Sequence, residues 1–356
     1  MIIKRIKVKI VLFLIFSLTQ FGVSQSKEFT EVFTLIKKSI LEETDQILIS
    51  NVQDLDVDIH GDIWIIDFTE GNLIKYNKTG RTPRIIARKG KGPFELAMPQ
   101  SLYISEKNKV YVANTIKRVT IFDIKGDPID SFIPPDVHMP TSCIGVNSDG
   151  TILLSGPGRK KEKDSEVIIK NMLHLYTPKG KYIKSFCKPS DNLEKLNLSR
   201  YRSAYFTLDN NDNIYVVQPL EYQVSVFDKT GNFKRIFGKK TKYYKEPKFC
   251  TEEIEQDEKK WNEFNRNLTY VMDVFIECDK VIVSAKNAID LKSKQNQYYL
   301  DIYSRDSGEL IKGGIETNGR LYRVKSGRFY FSRAVDIKPD DEQRIVEVFG
   351  IKGKIR

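Results

Sequence analysis

Histidine and cysteine are scarce in this chain. His60, His138 and His174 are its three histidines, and Cys143, Cys187, Cys250 and Cys278 are its four cysteines, far apart and without a CxxC pair. Zinc sites of the usual His-rich or Cys-rich spacing are therefore excluded. Four cysteines allow three pairings and the spacing does not choose among them, so at most one disulfide is expected. Also missing are a G-x-S-x-G elbow, an HExxH pair, a Walker-type phosphate loop and an EF-hand loop. GKGPFE (90–95) is rich in glycine, but Pro93 removes an N–H where a phosphate cradle needs one, and the stretch reads as a turn. DNNDN (209–213) offers calcium-like oxygens, yet it falls between two predicted strands and reads as an Asx turn, as His60 also sits in a turn.

Long apolar runs are absent beyond the first residues. Lys4, Arg5, Lys7 and Lys9 precede the apolar stretch Ile10 to Leu18, and Gly22 and Ser24 follow at workable positions for cleavage. The apolar stretch is shorter than the roughly 20 residues of a spanning helix, so residues 1–25 read as a cleaved signal peptide. No cysteine lies near the cleavage site for a lipid anchor. The expectation is an exported protein, periplasmic or extracellular, not a lipoprotein, with no transmembrane segment after cleavage. Removing the four basic residues of the signal lowers the formal charge from +11 to +7, too mild an excess for this length to mark a nucleic-acid binder. RKKEK (159–163) and KKTKYYK (239–245) read as solvated insertions.

What the chain does have is repetition. An aromatic-to-glycine phrase occurs six times: YNKTG from Tyr76, FDIKG from Phe122, YTPKG from Tyr176, FDKTG from Phe227, YSRDSG from Tyr303 and FGIKG from Phe349. Its chemistry is that of a hairpin: an inward aromatic ends a strand, a polar residue opens the turn, and glycine supplies φ > 0. Upstream of each lies a polar turn followed by a β-branched or aromatic strand, such as HGDIWIID (60–67) or NDNIYVVQ (211–218), itself preceded by another short apolar strand. Units of about 45 residues with four strands each are propeller blades. The expected fold is all-β, a six-bladed β-propeller. The last unit lacks room for its fourth strand, and QILIS (46–50) is a spare strand before the first, so we expect it to complete blade six and close the ring. The expected organisation is a signal peptide at 1–25, a lead-in at 26–45 and the propeller at 46–356.

Two stretches then carry a resemblance. LEETDQILISNVQDLDVDIHGDIWIID (41–67) resembles the opening segment of secreted bacterial six-bladed propellers related to NHL-repeat and TolB-like proteins, and RKGKGPFELAMP (88–99) resembles the G-x-G-P-x-E loop placed between their blades. The resemblance covers nearly all of the mature chain. It implies the fold strongly and a function weakly, because that family is largely uncharacterised. Many of its members carry a lipoprotein cysteine, which this chain lacks.

In such a ring, second strands end, and inner strands begin, on one loop-rich face. Asp67, Asn114, Ser155, Gln218, Lys286 and Arg333 follow the second strands, and His138, Tyr201, Arg202 and Asn267 lead into inner ones. Insertions at 156–170, 188–201 and 238–267 enlarge that face. Within the third, TEEIEQDEKKWNEF (251–264) reads as one amphipathic helix, capped by Thr251, with Ile254, Trp261 and Phe264 on one side. The candidate ligand-binding residues are Asp67, Asn114, His138, Arg202, Gln218, Trp261, Lys286 and Arg333. The expected activity is non-enzymatic recognition of a protein, peptide or glycan by a monomer that needs no cofactor. The alternative is a hydrolase or lyase, lactonase-like, with calcium or another divalent cation in the central channel. Asp56, Asn147 and Asp273 would be its ligands, with Asp58 as a further oxygen donor.

Overall fold

A computed structural model describes residues 25–115, 118–134, 142–162, 165–169, 171–198, 201, 203–287, 296–338 and 341–353. The signal-peptide expectation falls outside them. Among the described residues no helix is long and apolar enough to cross a membrane. Six four-stranded antiparallel sheets follow one another as blades. Their inner strands are Val52–Val57, Pro99–Ile104, Ile144–Val146, Tyr205–Leu208, Thr269–Glu277 and Arg320–Lys325, and their second strands are Ile63–Asp67, Lys109–Asn114, Ile152–Ser155, Ile214–Gln218, Lys280–Asn287 and Arg328–Lys338. The insertion in blade three forms a separate hairpin, Gly158–Glu162 with Ser165–Ile169.

In blades one to five the repeated phrase is the turn from the third strand to the outer strand; in blade six it ends the third strand. All six aromatics are buried, Tyr76 and Tyr176 completely. All six glycines have positive φ, from 58° at Gly353 to 94° at Gly126. Conformation is only part of the requirement. A Cβ on Gly180 would lie 2.3 Å from the Phe132 ring of the preceding blade's outer strand, and one on Gly80 would lie 2.4 Å from the Ile40 carbonyl oxygen. In blades one to five the phrase is therefore also the point where one blade rests against the last, whereas a Cβ on Gly353 would meet nothing within 4 Å. Gly80 of blade one touches Ile40 because Ile40 occupies an outer-strand position.

That contact locates the ring closure, and it is not where the sequence pointed. The strand completing blade six is Phe33–Ile40, paired antiparallel with Asp341–Ile351 from Phe33 opposite Ile351 to Ile40 opposite Ile345. The propeller therefore begins within the supposed lead-in, before residue 46. Residues 46–50 contribute only an isolated bridge, Thr44 to Ile47. Ile47 and Ile49 are buried, packed with Leu41, Tyr322 and Val346 where blade six meets blade one. Their alternation imitates a strand because a crossover plugging an apolar gap also needs apolar residues on one side. The true closing strand hides its character: Leu35, Ile36 and Ile40 are exposed, and its register shifts between Leu35 and Lys37. It is secured by the short helix Lys27–Val32, capped by Ser26, whose Phe29 stacks on Phe33 at 4.7 Å and meets Phe349 edge-on at 4.9 Å.

The turns read as structural are structural. The Asp209 carboxylate accepts from the backbone N–H groups of Asn211 and Asn213, both at 2.9 Å. In the 88–99 loop the Glu95 carboxylate accepts from Gly92 N–H at 2.8 Å while Leu96 is buried beneath. His60 lies in a turn ordered by Asp58, whose carboxylate accepts from the His60 N–H and from Trp64 Nε1 and pairs with Lys75 at 3.0 Å. Those partners outweigh burial and hold its carboxyl below the usual range. His174 is a core residue, its ring nitrogens 2.7 Å from Ser185 Oγ and 2.8 Å from the Gly156 carbonyl.

Candidate binding site at the channel mouth

The polar residues ending the second strands are mostly engaged in holding loops. The Asp67 carboxylate is fully buried and accepts from four backbone N–H groups, those of Ser50, Asn51, Thr69 and Glu70. Asn114 donates to the Arg118 carbonyl at 3.1 Å. Ser155 is fully buried. Gln218 accepts from Ser190 N–H at 2.8 Å and donates to the Lys188 carbonyl at 3.1 Å, anchoring the 188–201 insertion. Arg333 pairs with Glu347 at 3.2 Å. Lys286 differs: it is half-buried and lies 5.7 Å from the centre of the Tyr270 ring. Among the described residues no carboxylate reaches ion-pair distance from it. His138 and Arg202 lie outside the described residues.

Trp261 is not at the mouth as a free aromatic. The expected single helix is two, Glu252–Gln256 capped by Thr251 and Glu258–Arg266 capped by Asp257. Asp257 interrupts the run because its side chain accepts from Lys260 N–H, an N-cap bond that requires extended backbone at that residue. The Trp261 ring lies between Tyr201 and Phe264, nearly parallel to each and 6.0 Å from both. Leu193, Leu198, Leu220, Cys250 and Leu268 are buried beneath, so the 188–201 and 238–267 insertions share one small core. The Tyr201 and Tyr270 hydroxyls both donate to the Asn265 side-chain oxygen, tying that core to the inner strand of blade five.

Inner strands of all six blades surround a cavity of about 210 Å³. Gln53, Gln100, Tyr103, Tyr205 and Met272 line it, together with the charged residues Asp54, Asp273, Arg320 and Arg323. Arg323 donates to the Leu102 carbonyl at 2.8 Å and sits 3.4 Å from Asp56 and 3.8 Å from Asp54. Lys325 donates to the Val57 carbonyl at 2.8 Å and lies 3.7 Å from Asp56. Burial pushes the Asp273 carboxyl up to about 7, with Asp54 adding to the rise against the opposing pull of Arg320. Burial also raises Asp54 and the Cys143 thiol above their ordinary values. Arg320, Arg323 and Lys325 escaped the sequence reading. The signal was available in RLYRVK (320–325), where three cations stand on a strand the repeat places innermost.

The proposed metal ligands do not converge. Both Asp56 oxygens are taken, one by Val57 N–H, Arg323 and Lys325, the other by Ile104 N–H at 2.7 Å. Asn147 belongs to the turn after the inner strand of blade three, where its backbone bonds Thr151 and Gly150, and Asp58 belongs to the corresponding turn of blade one. Of that set only Asp273 lines the cavity. Among the described residues no group of three or more His, Cys, Asp or Glu is arranged to hold an ion. These donors do not fit a channel metal.

The fold and this axial cavity define a closed six-bladed propeller with a charged cavity lined by the inner strands of all its blades. The chain belongs to the six-bladed β-propeller family DUF5128, whose model matches residues 15–207, a span that takes in blades one to three and reaches the inner strand of blade four. No curated protein matches it. Among solved structures, a Bacteroides fragilis protein described as exported is 14% identical, with 90% of this chain and 96% of that one covered at a TM-score of 0.61. A duf4221 family member from Bacteroides vulgatus is 13% identical, with 91% and 99% covered at 0.58. A streptogramin B lyase is 11% identical, with 92% and 100% covered at 0.52. At these identities the likeness concerns the fold alone.

Proposed function

We propose that this protein is an exported binding propeller that receives one end of a protein, peptide or glycan at the mouth of its central channel. The observation that carries this is the cavity, lined from all six blades and mixing charged, amide and tyrosine groups. Pockets that enclose a whole small ligand run to about 300–1,000 Å³. At about 210 Å³ this one suits a terminal group, with the remainder of the ligand lying over the insertions. A ring of packed sheets presents such a site already ordered, so little binding free energy goes into arranging it. The leader sequence and the exported Bacteroides fragilis neighbour support an exported location. Hydrolase or lyase chemistry on a channel metal has less behind it, because both Asp56 oxygens are engaged and Asn147 is not among the residues lining the cavity.

The test is to fill the channel. Gln100 is half-buried in the wall, and Gln100→Trp adds bulk there. Ligand copurifying from the native host with the wild-type protein should be lost from the variant, as read by mass spectrometry. Equal retention by both would overturn the channel mouth as the site.

A further inference from the structure

We infer that the central cavity takes the uncharged terminal sugar of a glycan, held through its hydroxyls by Gln53, Gln100, Tyr205 and Asp273. This rests on the proposed channel-mouth reading and chooses among the ligand classes it leaves open. The inner strands of blades one, two and five share a bulge near their starts. Pairing shifts between Val52 and Asp54, between Pro99 and Ser101, and between Val271 and Asp273. The skipped residue has no partner across the ladder, which re-aims its side chain. Gln53, Gln100 and Met272 are those residues, and all three line the cavity. Gln53 Nε2 donates to Gln100 Oε1 at 3.3 Å. That bond leaves the Gln53 side-chain oxygen and the Gln100 amide nitrogen without partners among the described residues. In blade four the Tyr205 hydroxyl has none either. In blade five Asp273 accepts from the Val274 N–H at 3.1 Å through one oxygen and leaves the other unbonded among the described residues.

The rest of the charged lining has no such freedom. The Asp54 carboxylate accepts from the N–H groups of Leu55 and Leu102, each at 2.8 Å, and from Ser101 Oγ at 3.3 Å. Arg323 lies 3.4 Å from Asp56 and 3.8 Å from Asp54. Burial works against the Arg320 charge, but Tyr322, Asp273 and Asp54 outweigh it and hold the guanidinium above its ordinary value. A peptide end carries a full charge near neutral pH. Burying that charge where the counter-charges are already engaged costs more than a hydrogen bond returns. The end of a neutral glycan brings hydroxyls instead, each both a donor and an acceptor. The open groups are a matching mixture: an amide oxygen and a carboxyl oxygen accept, an amide nitrogen donates, and a phenol does either. Burial pushes Asp273 up to about 7, so near neutrality it is a poor counter-ion for a peptide ammonium yet bonds a hydroxyl in either protonation state. Tyr205 and Met272 add apolar area to the lining for the carbon face of a sugar ring.

Binding to an immobilised array of neutral, uronate-terminated and sulfated oligosaccharides tests this, with trialanine and its C-terminal amide as peptide probes. Neutral glycans sharing a terminal sugar should bind best, and the free methyl glycoside of that sugar should compete. Tyr205→Phe removes only a hydroxyl that bonds nothing among the described residues. It should keep the wild-type unfolding midpoint while weakening binding about fivefold, the effect of one hydrogen bond. Gln100→Leu should weaken binding at least as much, and Tyr205→Phe still reports where Gln100→Leu unfolds. Binding of no neutral glycan, tighter binding of an acidic glycan or of either peptide, or unchanged affinity in Tyr205→Phe would each overturn the inference. If copurified ligand leaves Gln100→Trp yet no neutral glycan binds, the channel mouth stands and the sugar falls; if Gln100→Trp retains the ligand, the mouth falls too.

Discussion

Replacing Phe33 by alanine tests the ring closure directly. Phe33 is 2% exposed and packs against Phe29 at 4.7 Å, Phe329 at 5.0 Å and Phe331 at 6.2 Å, where the N-terminal strand meets the C-terminal one. Truncating a buried phenylalanine costs about 3–5 kcal/mol, combining lost transfer energy with the residual cavity. Aromatic pairs add about 0.5–1.5 kcal/mol each beyond buried area, which places this site toward the upper end. About 4 kcal/mol is therefore expected, a large part of the stability of an ordinary domain. Urea unfolding followed by tryptophan fluorescence reads it, since Trp64 is buried in blade one, whose turn at Gly80 rests on the closing strand. Leu48→Ala is the control: Leu48 is 60% exposed, and its loss should stay within about 0.5 kcal/mol. If Phe33→Ala unfolds within 1 kcal/mol of wild type, roughly the scale of an ordinary substitution, the strand at 33–40 does not seal the ring. A Leu48→Ala loss as large as that of Phe33→Ala would refute the placement as well.

Gly180→Ala combines a side chain at φ 76° with a clash on the Phe132 ring, so a loss of about 2–4 kcal/mol is expected in the same unfolding assay. Adding Phe132→Ala should relieve the clash but leave the backbone cost. Asp67→Ala removes the acceptor of four part-buried N–H groups and should cost at least about 2 kcal/mol, whereas a merely solvent-facing rim residue would cost little. The Asp273 carboxyl rises from 3.8 in the unfolded chain to about 7 in the fold, so the folded state holds its proton more tightly. Its ionisation penalty is absent below 3.8 and grows as pH rises to about 7; Asp273→Asn should match wild type at low pH and exceed it in denaturant midpoint above about pH 7. Trp261→Ala should speed proteolysis within 238–267 while leaving the ring's unfolding nearly unchanged, because Trp261 packs inside the insertions' own small core.

Blade number was legible because the hairpin phrase is local chemistry. A turn residue accepts from N–H groups two and four positions on, as Asp228 does from Thr230 and Asn232, and a glycine follows with φ > 0. Such a pattern survives any amount of change in the strands around it. Closure was misplaced because it is not local. Nothing in FTLIKKSI announces that it pairs with residues more than 300 positions away, and its outward-facing Leu35 and Ile36 obscure its alternation. The helix at 251–264 was placed correctly and counted wrongly, since one aspartate can serve either as a polar residue within a helix or as the cap of the next.

The site was the least legible part, and Asp67 beside Lys286 shows the reason. Both are polar residues at the end of a second strand, and the sequence distinguishes neither. In the fold one carboxylate satisfies four backbone groups of its own chain, while one ammonium, among the described residues, lies over a tyrosine face with no carboxylate at ion-pair distance. A polar side chain under a loop is required wherever buried backbone N–H groups would otherwise go unpaired. Polarity around a propeller mouth therefore follows from building the mouth and says little about a ligand. The informative residues are those left after every internal obligation is counted. By that subtraction Gln218 and Arg333 drop out of the candidate set, whereas Asn114 keeps a buried side-chain oxygen without a partner among the described residues and Arg320, never in the set, keeps such an Nε.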